Sequence, residues 1–335
     1  MSTDVLRLTA YLGERKRFAG RFAADALLDC YEAHEVATSI LLRGMAGFGH
    51  KHHLRTDTSL SLSEDLPAVA IAVDSAERIE AVLDETARIA GEGLVTVERA
   101  GLPPDWTGAA KLTVHLGRQD RVDGRPAFVA VCELLQRRGV DGASALLGVD
   151  GTVRGKRRRA RFFARNAAVP MLLIAAGTAD RIADAVPEIR AALPDALCTV
   201  QPVEIFPPIA PRDPSDGQWR KLTVYTAESQ LHAGRPIHRE IVHRLRGSGA
   251  SGASGATTVR GIWGFHGSHP PHGDRLFQLG RNVPAVTTVV DSPERILQAY
   301  AVIAELTAEH GVVTSEPLLR LLRTPVPAPH PPAAR

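Results

Sequence analysis

At 335 residues, 44% hydrophobic and 23% charged, the chain is long enough for two or three ordinary domains. A formal net charge of +3 is too small to select nucleic acid in bulk, so any basic patch has to be argued locally. Cys30, Cys132 and Cys198 form no CxxC and are too few for a disulfide framework, which excludes a disulfide-stapled scaffold and predicts a reducing cytoplasm. The opening MSTDVLRLTAYL lacks an apolar signal core, and no run approaches the roughly 18 apolar residues of a membrane span.

In chain order, the alternation of LRLTAYL at Leu6–Leu12 predicts a strand with one buried face. After Gly20, the positions Phe22, Ala26, Leu27 and Tyr31 recur at helical spacing. A short β-branched and aliphatic run, Thr38–Leu42, predicts a second strand, and a Gly- and His-rich loop is expected from Gly44 to about Ser59. AVAIAV at Ala68–Val73 has the continuous apolar character of a strand buried on both faces. Asp74–Ser75 is the expected cap of a helix through Arg78, Ile79, Val82, Leu83 and Ile89. Gly91 and Gly93 end it, and LVTVE at Leu94–Glu98 is the last strand. The order βαββαβ predicts an α+β domain with the ferredoxin-like split unit.

The chain then repeats itself. LTAYLGERKRFAGR (Leu8–Arg21) returns as LTVHLGRQDRVDGR (Leu112–Arg125) and as LTVYTAESQLHAGR (Leu222–Arg235), with Gly20, Gly124 and Gly234 spaced 104 and then 110 residues apart. That period is too long for a solenoid unit and suits a small domain. Pro67, Pro170 and Pro284 open the third-strand regions, and Asp74–Ile79 (DSAERI) parallels Asp291–Ile296 (DSPERI), weakened to GTADRI at Gly177–Ile182. Domains are expected at 1–101, 109–205 and 219–322, the second diverged. The Pro-rich stretches 102–108 and 206–218 are linkers, and 323–335 is a disordered tail. SGASGA at Ser251–Ala256 reads as a flexible expansion of a helix-to-strand turn. Three sister domains in one chain predict an intramolecular pseudo-trimer, a monomer with clefts at its seams.

LTxYLGExxRxxGRP, LRGxAGFG and SxDLPxVxxxVDxxExI together resemble the domain of unknown function 190 family, which is similar to the PII signalling proteins. The resemblance spans most of residues 4–318 and implies PII-like ferredoxin domains arranged as a trimer, small ligands between subunits, and loops that contact a protein partner such as a membrane transporter or channel. It makes adenine nucleotide the leading effector class.

Arg43-Gly44-Met45-Ala46-Gly47-Phe48-Gly49 aligns with Arg260-Gly261-Ile262-Trp263-Gly264-Phe265-His266-Gly267. Glycines at this density let backbone N–H groups approach an anion, and the adjacent Arg supplies a forked donor. Arg43, Gly44, Gly47, Phe48, Gly49, Arg260, Gly261, Gly264, Phe265 and Gly267 are therefore ligand candidates; a structural Gly turn is the competing reading. Phe48 and Phe265 would either stack on a base or anchor the loop. Gly91 and Gly93 resemble a shortened PII phosphate loop and join the candidates. The second copy reads Leu147-Gly148-Val149-Asp150-Gly151-Thr152-Val153, without the Arg or the aromatic, so at most two competent clefts are expected.

Arg154, Lys156, Arg157, Arg158, Arg159, Arg161 and Arg165 make the second loop basic, suited to phosphates or acidic lipids, or simply solvated. Few aromatics are interleaved, so nucleic acid is not the expected partner. His50, His52, His53, His266, His269 and His272 cluster in the other loops. They are secondary metal candidates and match no zinc signature. Cys30 and His34 share a helix and Ser63-Glu64-Asp65 pairs carboxylates, but neither recurs in the other copies, and no nucleophile elbow, Walker loop or metalloprotease helix is present. The expectation is a non-enzymatic module that binds a small anionic effector, with a metal sensor or a ligand-free scaffold as alternatives.

Overall fold

The computed structural model describes residues 4–49, 52–57, 65–103, 105–153, 155–159, 169–206, 218–247, 253–266, 272–273, 283–308 and 311–323. Each repeat supplies a first strand, a helix, a crossing strand, a third strand, a second helix and a last strand. In repeat one these are Val5–Gly13, α1 (Ala23–Ala33), Thr38–Phe48, Pro67–Ser75, α2 (Ala76–Ala90) and Leu94–Arg99. In repeat two they are Ala109–Gly117, α3 (Ala127–Arg137), Gly142–Leu147 resuming as Asp150–Val153, Pro170–Thr178, α4 (Ala179–Ala192) and Leu197–Ile205. Repeat three has Arg220–Ala227, α5 (Ile237–Gly247), Ala256–His266, Pro284–Asp291, α6 (Pro293–Thr307) and Val312–Pro317, followed by a closing strand, Arg320–Arg323. Among the described residues no helix is long and apolar enough to cross a membrane.

Within every repeat the first strand pairs antiparallel with the third and the last, and the third with the crossing strand. Helical spacing puts apolar side chains of both helices on one sheet face, as with Leu27, Tyr31, Ile79 and Ile89 in repeat one, which share a core with Leu8 of the first strand. Repeats two and three build equivalent cores around Leu112 and Leu222. The opposite faces are apolar too. Ile40, Ile71, Leu146, Leu172, Val259 and Val286, drawn from all three repeats, form one further buried cluster. Each such side chain contributes about 1.5–3 kcal/mol by leaving water.

The expected loop beginning at Gly44 is instead strand. The crossing strand continues to Phe48 because its outer half has a partner in another repeat: Gly47 pairs with Thr257 and Phe48 with Ala256. The outer half of the third repeat's strand pairs with repeat two, Gly264 opposite Ser144 and Phe265 opposite Ala143. Repeat two returns to repeat one, Gly151 opposite Ile40 and Thr152 opposite Ser39. The circuit runs one to three to two to one and closes. Two last strands also reach across repeats, Glu204 pairing with Ser315, and Arg320 of the closing strand with Val97.

The expected cap at Asp74–Ser75 is made by Ser75, while Asp74 and its counterpart Asp291 act elsewhere. The Ser75 hydroxyl, and not Asp74, accepts the capping N–H of Arg78, at 3.5 Å. Asp74 accepts from the N–H groups of Ala37 and Ser75, each at 2.7 Å. Asp291 likewise accepts from Ser254 at 2.7 Å and Ser292 at 2.9 Å. These carboxylates hold the turn that enters the crossing strand. Ser251 and Gly252, which open the SGASGA expansion, lie outside the described residues.

Candidate functional site

The crossing strands account for the spacing of the glycines. A Cβ on Gly47 would lie 2.5 Å from the Ala256 carbonyl oxygen. On Gly151 or Gly264 it would lie closer still to the carbonyl oxygen of Ser39 or Ala143. Ser39, Ala143 and Ala256 hold equivalent places opposite Ala72, Ala175 and Val289 of the third strands. Three residues earlier, Gly44, Gly148 and Gly261 are pressed on Pro67, Pro170 and Pro284, with a Cβ at 2.9, 2.9 and 3.0 Å from the nearest proline atom. Only glycine lets two backbones cross at this distance.

The flanking residues of the motif are equally engaged. Phe48 is buried in the core of repeat three and Phe265 in that of repeat two, so each ring anchors one repeat in the next. Arg43 contacts Glu14 at 3.0 Å, and Arg260 contacts Glu228 at 2.7 Å and Asp57 at 3.0 Å. In repeat two Leu147 and Arg118 occupy these two places, so the acid and the base of the pair are lost together. Gly91 closes α2 with φ of 57° and donates to Ala87 O at 3.0 Å. A Cβ on Gly93 would meet Tyr11 O at 2.5 Å. Gly49 has open space beside it, and Gly267 lies outside the described residues.

A cleft of about 290 Å³ opens at the seam of repeats one and two. Repeat one gives it Ala37–Ile40; repeat two gives His115, Leu116, Thr152, Val153, Pro170, Met171 and Pro194–Leu197. The corresponding seam of repeats two and three holds only about 10 Å³. There Tyr225 stands at the position of His115, the larger ring filling the space. Thr152 likewise stands where the other copies carry Phe48 and Phe265. This opening thus falls at a seam of the diverged copy, where the loss of the Arg and Phe was expected to weaken a site.

His115 is one of the polar lining residues, and both its ring nitrogens are buried. It is 5% exposed, and neither ring nitrogen has a hydrogen-bond partner among the described residues. Burial, then the charge of Arg7, pushes its pKa down to about 3. The imidazole is therefore neutral and offers one donor and one acceptor. Burial, then Arg239, similarly lowers His238 to about 4. From about pH 6.5 downward the unfolded chain binds protons that these folded rings refuse, so stability falls with falling pH until the folded values are reached. Urea unfolding at pH 5 should show a loss of roughly 1–2 kcal/mol per ring relative to pH 7. His115→Tyr should flatten the slope.

Behind His115 lies a buried polar cluster in which every repeat places a cation on its first strand opposite a position on its last strand. The pairs are Arg7 with Glu98, Lys111 with Gln201, and Lys221 with Glu316. Lys221 contacts Glu98 at 2.5 Å and Glu316 at 2.6 Å, and Lys111 contacts Glu316. Arg7 lies 4.0 Å from Glu98 and donates to Thr199 at 3.5 Å. Burial pushes Lys111 down to about 7, more than Glu316 restores. Burial alone would raise Glu316, but Lys111 and Lys221 hold it at about 2.

The profile of DUF190, a family described as Uncharacterized ACR, matches residues 5–102, 109–205 and 219–319. The chain belongs to the DUF190 family. Among solved structures it is similar to an unknown protein from Galdieria sulphuraria, at 14% identity and a TM-score of 0.19, covering 64% of this chain and 100% of that one. A structure described as a candidate glycine cleavage system transcriptional repressor matches at 11% identity and a TM-score of 0.20, covering 60% and 98%.

In this DUF190 chain the described part of the basic loop grips repeat one. Arg157 contacts Asp150 at 2.8 Å and also Asp29 of α1, while Arg159 contacts Asp25 of α1 at 3.0 Å. Arg154, Arg161 and Arg165 lie outside the described residues. Of the histidines, His52 stacks on Phe48 with centroids 5.5 Å apart, His53 is exposed, and His266 borders the small second seam. His50, His269 and the side chain of His272 lie outside the described residues. No group of three metal-ligating side chains occurs among the described residues. Sequence reasoning passed over His115 and Gln201. Their signal was departure from the repeat, His against Tyr11 and Tyr225, and Gln against Glu98 and Glu316.

Proposed function

We propose that this protein is a non-enzymatic, PII-like regulatory module: three ferredoxin-like repeats closed into an intramolecular pseudo-trimer in the cytoplasm. It binds a small anionic effector at the seam of repeats one and two and relays occupancy to a protein partner. The observation that carries the reading is the 290 Å³ cleft between two repeats, lined by a buried His115 that has no hydrogen-bond partner among the described residues. A mostly apolar concavity with a few convergent polar groups is the usual form of a small-molecule site. The circular strand pairing supports the pseudo-trimer. Thr152 and Val153 line the cleft and lead directly into the segment carrying Arg157 and Arg159, so occupancy and the position of that segment are coupled. The family resemblance suggests a transporter or channel as the partner.

A thermal-shift screen of small anions, adenine nucleotides included, tests the site, because a ligand of the folded state raises its melting temperature by mass action. His115→Tyr copies the residue that fills the counterpart seam. It should preserve folding and abolish the shifts found with the parent protein. Shifts that persist in the variant would place the ligand elsewhere, and a screen without any shift would favour a ligand-free scaffold.

A further inference from the structure

We infer that the effector is a small organic monoanion, drawn by a buried positive charge that repeat two leaves without its carboxylate. This inference rests on the reading of the seam as the effector site. Three cations, Arg7, Lys111 and Lys221, share the buried cluster with two carboxylates, Glu98 and Glu316; Gln201 takes the third acid's place. The pairing rule is visible where it is complete. Lys221 touches its own cross-strand acid and the acid of repeat one. By the same rotation Arg7 should meet its own Glu98 and the acid of repeat two. It finds Thr199 there instead, on the strand that carries Gln201, and its Nε has no hydrogen-bond partner among the described residues.

Arg7 is left with Glu98 at 4.0 Å, a carboxylate that Lys221 holds at 2.5 Å, and a buried charge so thinly paired is relieved by one nearby negative charge. The seam that lost the carboxylate is also the seam that opens. Arg7 does not line the cleft, whose one charged lining residue among those described is Asp195. It lies beside the cleft, donating to Thr199 two residues along the strand from the lining Leu197, and its charge helps push the pKa of His115 down. The imidazole can donate to a carboxylate oxygen. Ile40, Leu116, Met171 and Leu197 supply an apolar wall for the rest of the molecule. At 290 Å³ the cleft is at the lower end of the roughly 300–1,000 Å³ of small-molecule sites. A single guanidinium without a close carboxylate of its own calls for one negative charge, whereas a nucleoside triphosphate brings several.

The test compares a panel of small carboxylates, acetate and benzoate among them, with their uncharged amides, and with ATP, at constant ionic strength by calorimetry and thermal shift. At least one carboxylate should bind tenfold or more tighter than its amide and than ATP. Gln201→Glu, which restores the third acid and gives up the Gln201 Nε2 bond to Arg99 O at 2.6 Å, should weaken that carboxylate at least tenfold. His115→Tyr should abolish it. Equal binding of carboxylate and amide, tighter binding of ATP, no binding of any carboxylate, or indifference to Gln201→Glu would each overturn the inference. In all but one of these cases His115→Tyr still decides the site separately: if it removes whatever does bind, the cleft survives as the effector site and only the charge class falls. If binding persists in His115→Tyr, the cleft itself is wrong.

Discussion

Arg157→Ala is expected to destabilise the protein by about 3 kcal/mol, read as a lowered urea midpoint with unchanged slope. The Asp150 side chain is 3% exposed and Arg157 only 16%. Removing the guanidinium leaves a buried carboxylate whose remaining partners are the N–H of Gly151 at 2.8 Å and the more exposed Arg159 at 3.5 Å. Breaking a buried pair from one side costs roughly 3–5 kcal/mol, and those surviving contacts place this case at the lower end. Adding Asp150→Ala should return part of the loss, because the orphaned charge disappears with it. Arg125→Ala is the comparison: its pair with Glu133 is solvent-exposed, so its loss should cost under about 1 kcal/mol. If the two arginine variants cost the same, the segment is not fastened to α1 by Arg157. The double variant would then show no recovery either.

The elements within each repeat were legible because they depend on local periodicity. Alternation at Leu6–Leu12 and helical spacing through Ile79, Val82 and Leu83 need no distant partner to be read. The outer half of the crossing strand was not legible. Gly44, Gly47 and Phe48 have loop-like composition, and they are strand only because Ala256–Val259, some two hundred residues later, complete their hydrogen bonds. The basic run failed for the same reason. Arg157 looks like an unattached cation until the fold brings it to Asp29, 128 residues earlier. At the site, attention went to what the repeats share, the Gly-x-x-Gly spacing, which symmetry demands for packing in all three copies. The cleft depends on what one repeat does differently. His115 and Gln201 are unremarkable as residue types and become informative only when set beside Tyr225 and Glu316 in register.

Gly264→Ala separates packing from ligand binding as the reason for that spacing. The added methyl would sit within van der Waals overlap of the Ala143 carbonyl oxygen and 2.6 Å from Pro284 Cγ. Neither the backbone nor the proline ring is a flexible side-chain end that can swing away. The crossing of repeats three and two must therefore separate, which also withdraws Phe265 from the core of repeat two. Overpacking a rigid site costs about 1–3 kcal/mol, and a backbone crossing belongs at or above the top of that range. Gly47→Ala should behave alike, since its Cβ would meet the Ala256 carbonyl oxygen and Pro67 Cγ at 2.5 and 2.8 Å. Gly49→Ala, in the same motif but with nothing within 4 Å, should change the unfolding midpoint little. A ligand-binding turn predicts the reverse pattern, with Gly49 and Gly264 variants stable and both impaired in effector affinity. Measuring urea midpoints for the three variants together with carboxylate binding decides between them: loss of stability at Gly47 and Gly264 alone identifies the glycines as the hinges on which one repeat is laid across the next.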